Sequence, residues 1–464
     1  MHFITGFILP FFFILGSAVV LHEFGHFIVA KLLGVRVETF SVGFGPRLFG
    51  RRWGTTDYRL SLIPLGGYVK LGGDESNAPI EGGGEVNIPD RERFDLRPRW
   101  QKFLVMIAGP VMNILTALTI PLIGAMIVGV PPAPLPVVKQ IKPNGAAAVA
   151  GLKVNDRIVA FNGAENPTWD RIYGDALLSP EQPLPLIVER DNQRVALQIK
   201  PTKYKEGTES IGDLDFQPDF SNLPVRVGAV DPNSPAAEAG LQSGDRIVAI
   251  NGEAAFSREQ VSRYIQEHKA EPLRLTIERN GAREEKTAQV RRLADGTERL
   301  GIVYGLERVG FTAAAAHAVN RNIEVIRLTG KALSQVFSGR RSARDTLSGP
   351  IGIARASSAA ASEGWGGIFA MLGFLSLNLG IFNLLPIPVL DGGAIFLLLV
   401  EFILGVVGLT LSMAMRERIQ QVGFVAIMLL MIFVISNDVL KEVSRMRNTD
   451  AKPAVTAPAA EQNK

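Results

Sequence analysis

The sequence predicts a polytopic α-helical membrane protein of about four transmembrane helices, with two inserted α+β domains and a membrane-associated β-hairpin. Three observations predict it. Of 464 residues 47% are hydrophobic and the mean hydropathy is +0.18, too apolar overall for an ordinary soluble enzyme. The 20% of residues that are charged crowd into some stretches and are nearly absent from others, the pattern of spans joined to soluble segments. Finally, a polar central region repeats itself, with Asp156 recurring as Asp245 and Gly151 as Gly240.

Composition also excludes. The net charge of +4 is small for this length, and no basic cluster with interleaved aromatics points to nucleic acid. There is no cysteine, so disulfides and thiolate ligands are out and His or carboxylate must supply any metal donor. The N-terminus lacks a basic leader region, and its apolar run continues from Phe3 to Leu33. That run reads as the first span rather than a cleaved signal peptide.

The run contains His22-Glu23-Phe24-Gly25-His26. Residues four apart share a helix face, so His22 and His26 can present ring nitrogens to one Zn²⁺, with Glu23 about a quarter turn away beside the ion. The motif also arises by chance in soluble helices. Within a span, however, three ionisable groups are costly in lipid and mark a functional site inside a protein bundle.

From Gly34 to Lys102 the chain is polar, glycine-rich and carries eleven Lys and Arg, against none in residues 1–20. The positive-inside rule places this loop in the cytoplasm and the N-terminus outside. The His-Glu-x-x-His end of the first span is then near the cytoplasmic face. Asp57–Ile63 and Pro64–Lys70 read as short strands around a turn, a hairpin. Phe103–Val130 is the second span, with Gly109-Pro110-Val111-Met112-Asn113 near its start. Asn113 is either packing within a kink or a neighbour of the site. The proline cluster Pro131–Pro136 ends the span as a stiff connector.

Residues 137–306 hold the repeat. Pro143-Asn144-Gly145-Ala146-Ala147 and Ala150-Gly151-Leu152 through Asn162-Gly163 return as Pro232–Ala237 and Ala239-Gly240-Leu241 through Asn251-Gly252. Each copy reads as a short helix, a tight turn, a strand and an Asn-Gly turn. Two copies of this length are tandem domains, not a solenoid. They resemble PDZ domains, and the resemblance implies grooves that accept an extended peptide as an added strand. The first copy departs at Asn155, where the second has Gly244; Asn also tolerates a left-handed turn.

A basic amphipathic stretch, Asn320–Arg344, is expected on the outer membrane surface or against the second repeat. Ile368–Leu385 is the third span, followed by Asn383-Leu384-Leu385-Pro386-Ile387-Pro388-Val389-Leu390-Asp391-Gly392. Pro386 and Pro388 cannot both continue a helix, so the backbone opens there and can aim a carboxylate sideways. Asp391 is the natural third ligand: two His and one carboxylate leave a fourth zinc position for water. The alternative is that Asp391 caps the next helix. Residues 394–415 are apolar but broken by Glu401 and glycines, and 421–436 are clearly apolar. Whether 394–415 cross decides the side of the C-terminus, and Lys441, Arg445 and Arg447 against Arg416 and Arg418 locally favour the opposite orientation or a fifth span.

These readings divide the chain into a first transmembrane half at 1–130, PDZ-like domains at 131–219 and 220–306, an amphipathic connector at 307–367, a second transmembrane half at 368–440 and a disordered tail at 441–464. Taken together, the span-borne His-Glu-x-x-His, Gly43-Phe44-Gly45, the hairpin, the two PDZ-like domains and Asn383-x-x-Pro386-x-Pro388-x-Leu390-Asp391-Gly392 resemble the site-2 protease family of intramembrane zinc metalloproteases. The resemblance covers nearly the whole chain. It implies one zinc per chain on His22, His26 and Asp391, with Glu23 as the catalytic acid/base. It implies that Asn383, with Pro386 and Pro388 beside it, and the hairpin near residues 57–70 hold the substrate strand. It further implies a bacterial inner-membrane enzyme of regulated intramembrane proteolysis in the stress response, with periplasmic PDZ-like domains. Its substrate would be a single-span anti-sigma factor already shortened outside the membrane. An ion transporter would leave Glu23 and the repeats unexplained; a peptide-binding scaffold would leave the span-borne charges unexplained.

Overall fold

The computed structural model describes residues 7–74, 87–130, 134–206, 209–219, 225–232, 234–255, 261, 264–265, 272–292, 298–306, 309–409 and 411–450. It forms two compact units: residues 1–123, 316–326 and 333–464, and residues 124–315 and 327–332.

In the first unit, four helices among the described residues are long and apolar enough to cross a membrane: Leu9–Leu32, Arg99–Ile127, Trp365–Asn383 and Ala414–Val443. The first packs on the third through buried Ile14, Ala18 and Leu372. The helix Asp391–Val406 has 16 residues, about 24 Å at 1.5 Å per residue and short of a full crossing. Its Glu401 pairs with Arg416 at 2.5 Å. Two prolines, Pro110 and Pro121, lie inside the second span. Pro121 has no N–H to give the carbonyl four residues back, that of Ala117. Asn322 Nδ2 supplies the missing donor at 3.0 Å. Asn322 belongs to the helix Phe311–Phe337, so the amphipathic stretch reaches the second span at this point.

Asp438 explains a second run, Ser348-Gly349-Pro350-Ile351-Gly352. Its carboxylate accepts the N–H groups of Gly349 and Ile351 at 3.0 Å and of Gly352 at 3.1 Å. It thereby caps the helix Pro350–Ser362 from the fourth span. That span's helix runs on to Asp450, and Lys441 Nζ bonds the Leu347 carbonyl at 3.1 Å. Residues 441–450 are therefore helical rather than part of a tail; the rest of the expected tail lies outside the described residues.

The hairpin is larger than expected. Val37–Trp53 and Thr56–Leu71 form the strands, and Trp53 pairs with Thr56 at the tip. Residues Thr39–Val42 pair twice, with Asp57–Leu60 and with Gly67–Lys70. The bend expected between the two short strands is thus real, but it folds one long strand around a central one. Segment 67–71 becomes an outer edge of the curled sheet.

In the second unit the two copies repeat one sheet order. Phe216–Asp219, Leu135–Ile141, Arg157–Phe161, Leu184–Arg190 and Gln193–Ile199 are neighbours in the first. Ile302–Tyr304, Val225–Val230, Arg246–Ile250, Pro272–Arg279 and Ala282–Gln289 are neighbours in the second. Each copy encloses its own core, around Ile158, Phe161, Ile172 and Val188 in one and Ile247, Leu273, Leu275 and Ile277 in the other. Asn155 sits at φ 73° where Gly244 sits at φ 99°, so the substitution keeps the left-handed turn. An arginine clamps this turn in both copies. Arg190 bonds Asp156 bidentately at 2.7 Å and the Gly151 carbonyl at 2.9 Å; Arg279 does the same to Asp245 at 2.7 and 2.8 Å and to Gly240 at 2.8 Å. Such planar, charge-assisted pairs fix geometry as well as energy.

Asp175, on the first copy's helix Trp169–Leu177, has no exposed surface. It accepts from Arg327 and Lys331 at 2.7 Å, from Arg171 at 2.9 Å and from Asn162 at 3.0 Å. Arg327 and Lys331 of the basic stretch thus meet a buried carboxylate of the first repeat. Burial would push the Asp175 carboxyl up, but hydrogen bonds from Lys331, Asn162 and Arg327 outweigh it and hold its pKa at about 2. A carboxyl depressed from about 4 contributes stability above about pH 4 that fades as pH falls toward 2, about 2 kcal/mol in all. Thermal unfolding of the full chain checks this. Asp175→Asn should lower the melting temperature at pH 7 and flatten its acid dependence between pH 4 and 2.

Candidate metal centre

The site is built where the first, second and third spans meet. His22 and His26 lie one turn apart on the first span, both buried, with their Nε2 atoms 3.2 Å apart. Gly109 of the second span lies against them. A Cβ there would fall 2.3 Å from His26 Nε2 and 2.8 Å from His22 Cε1, so only glycine leaves room for both rings. The next turn of that span orients them. Nδ1 of His26 donates to the Val105 carbonyl at 2.7 Å, which directs its Nε2 toward His22. Nδ1 of His22 lies 3.2 Å from Asn113 Nδ2, placing Asn113 at the site.

Asp391 arrives from the other half of the chain. The third span ends at Asn383, and residues 384–390 are irregular through Pro386 and Pro388. Val389 takes φ 86°, a strained conformation for a β-branched residue. A helix then restarts at Asp391, capped by Leu390 without a side-chain bond. Asp391 is therefore not spent on capping. Its Oδ2 lies 3.0 Å from His22 Nε2 and its Oδ1 3.5 Å from His26 Nε2. The restart depends on close backbone approach: a Cβ at Gly393 would lie 2.2 Å from the Ile387 carbonyl oxygen.

One donor atom from each of His22, His26 and Asp391 lies within 4.8 Å of the others. Two imidazole nitrogens and a carboxylate oxygen are a donor set that Zn²⁺ accepts in three-ligand sites, with a fourth position for water. The fit extends outward, since a backbone carbonyl and an amide hold the far sides of the two rings.

Glu23 turns toward the hairpin. A Cβ on Gly67 would lie 3.5 Å from its Cγ. Asn383 Nδ2 is 3.4 Å from His22 Nε2. Pro388 packs under the fourth span, where a Cβ on Gly423 would come within 2.3 Å of its own; Pro386 is exposed in the irregular turn. The structure thus gathers His22, Glu23, His26, Asn383 and Asp391 in one place. Gly109 and the Val105 carbonyl were not legible in sequence: a glycine next to a proline signals a kink, and a backbone carbonyl signals nothing.

The family model for peptidase family M50 matches residues 10–430. A putative zinc metalloprotease of Vibrio cholerae is 32% identical over 445 residues, 90% of this chain and 93% of its own. The regulator of sigma-E protease RseP of Salmonella typhimurium is 32% identical over 92% of this chain and 97% of its own. Its namesake in Escherichia coli is 31% identical over 91% and 96%. Among solved structures, the PDZ domain of an SdrC-like protein from Listeria monocytogenes is 26% identical over 17% of this chain and 85% of its own, at TM-score 0.16.

Gly109→Ala should lower zinc retention by about tenfold or more, because the donor atoms must hold their positions to a fraction of an ångström. Gly124→Ala on the same span, where a Cβ meets nothing within 4 Å, should leave metal content unchanged. Metal analysis of the purified variants checks both.

Proposed function

The chain belongs to peptidase family M50, the site-2 proteases, and is a membrane zinc metalloprotease; on that premise we propose that it hydrolyses a peptide bond within or near the transmembrane segment of a single-span protein. The observation that carries this reading is that the His22, His26 and Asp391 donor atoms meet among apolar helices, with Glu23 against Gly67 of the hairpin's outer strand segment. Such an edge suits a protein substrate, because an extended peptide can add to it as a strand.

In this reading His22, His26 and Asp391 hold one zinc. Zinc, when bound, supplies a Lewis acid and lowers the pKa of its water from about 16 toward 7. Glu23 takes the proton of the attacking water and returns it to the leaving amine. A substrate helix has its carbonyls tied up internally, so it must unwind before attack. The edge at Gly67–Leu71 and the Asn383 amide replace part of the lost hydrogen bonding. Pro386 opens the wall beside Asn383, and Pro388, wedged against the fourth span, holds that opening. The hairpin associates with the membrane, its Phe49 and Trp53 being 73% and 80% exposed.

The eleven cations of residues 34–102 put that loop and the site on the cytoplasmic side of a bacterial inner membrane. The PDZ-like domains, 131–219 and 220–306, are then periplasmic and take extended peptide. The substrate is an anti-sigma factor already shortened outside the membrane, cut in the envelope stress response. The names of the Salmonella and Escherichia coli relatives support this choice.

The test is cleavage of a truncated single-span protein by the purified chain in lipid, with the products mapped by mass spectrometry. A cut within or near the span that stops on zinc chelation and resumes with added zinc is expected. A cut confined to the extramembrane part, or one indifferent to chelation, would overturn the reading. Asn383→Ala should slow the cut roughly tenfold, the rate equivalent of one hydrogen bond of about 1.4 kcal/mol, with zinc content unchanged.

A further inference from the structure

The second span contributes a buried polar residue that the proposed chemistry does not use. Asn113 has no exposed surface, and neither has Ser376 of the third span. The two lie in series behind His22. Asn113 Nδ2 is 3.2 Å from His22 Nδ1. On its other side Ser376 Oγ is 3.2 Å from Asn113 Oδ1 and 3.1 Å from the Asn113 carbonyl. A polar pair at the contact of two apolar spans is costly unless each group is satisfied. The position is also tightly packed, since a Cβ on Gly380 would fall 3.2 Å from Asn113 Cβ.

We propose that Asn113 is a positioning residue for zinc: with Ser376 behind it, its amide supports whichever nitrogen of His22 carries the proton. This rests on the reading that His22 is a zinc ligand. As the side chains stand, His22 Nε2–H can donate to Asp391 Oδ2 at 3.0 Å while Nδ1 accepts from the Asn113 amide. A ligand imidazole instead commits Nε2 to the ion and keeps its proton on Nδ1, which then needs an acceptor. An amide carries a donor and an acceptor on one rigid plane, and a half-turn exchanges them. That half-turn offers Oδ1 to His22 and Nδ2 to Ser376. A hydroxyl both donates and accepts, so Ser376 satisfies either setting. A backbone carbonyl does this work for His26, but a carbonyl can only accept; at His22 the partner can reverse.

Three consequences separate this role from mere packing. Asn113→Leu keeps nearly the same volume but offers no acceptor, and should weaken zinc binding by about 10- to 100-fold. Asn113→Asp keeps an acceptor toward Nδ1, and should hold affinity within about threefold of wild type. Ser376→Ala leaves the amide one partner short and should fall between them.

The experiment measures zinc affinity of the full-length protein and its variants in detergent by competition with a chromophoric chelator. His22→Ala serves as the zinc-site control, and the absorption spectrum of the Co²⁺-substituted protein as a second readout. Melting temperatures of the zinc-free proteins are taken alongside. The expected result is a weakened Asn113→Leu with a perturbed cobalt spectrum, a near-normal Asn113→Asp, and zinc-free melting temperatures that do not follow affinity. Wild-type affinity and spectrum in Asn113→Leu would overturn the proposal. So would equal losses in the Leu and Asp variants, which would mean that shape alone matters. Should Asn113→Leu fail to fold, Asn113→Ser and Asn113→Asp decide: the hydroxyl is too short to reach His22, so equal affinities overturn the proposal. Zinc binding unaffected by His22→Ala would instead overturn the metal assignment, and this proposal with it.

Discussion

Everything at the centre depends on how closely the second span approaches the first. Two imidazoles on consecutive turns need space on the facing helix and a hydrogen-bond partner behind each ring. Gly109 gives the space, and within one turn on either side Val105 and Asn113 give the partners. Lipid provides no hydrophobic drive between helices, so close packing of small residues and polar contacts across the crossing must hold it. Gly25 and Gly109 supply the first, and the His26 bond to Val105 is one of the second.

The rest of the membrane unit follows the same economy. Two departures from regular helix are answered by a side chain from elsewhere. Pro121 releases a carbonyl that Asn322 takes up, and the helix beginning at Pro350 is capped by Asp438 from a span nearly ninety residues downstream. The break after Asn383 serves the site itself: the irregular turn through Val389 lets Asp391 begin a helix with its carboxylate free to face two histidines. Irregular backbone in a membrane is tolerable only where protein surrounds it, and here it does so at the one place where chemistry needs it.

Much of this was legible in the sequence, because the signals were local. His22 and His26 announce a shared face by spacing alone, paired prolines announce a broken helix, and the Asp156 and Asp245 repeats announce duplicated turns. The four apolar runs found helices of span length. What stayed hidden was long-range. The double pairing of Thr39–Val42 depends on a strand folding around its neighbour, which no alternation pattern encodes. Asp175 receives Arg327 and Lys331, yet a single buried aspartate looks like any other in a sequence. The helical continuation to Asp450 was masked by a charged, proline-containing composition that reads as a tail.

Membership of peptidase family M50 and the convergence of three donor atoms leave one residue to carry the chemistry. Glu23 lies on the first span beside His22 and against Gly67 of the hairpin, and in the proposed reading it alone transfers the proton. The most direct test compares wild type with Glu23→Gln for zinc content and for cleavage of a truncated single-span protein. The account predicts zinc in both and cleavage by wild type alone. Equal cleavage by the variant, or no zinc in either, would contradict it.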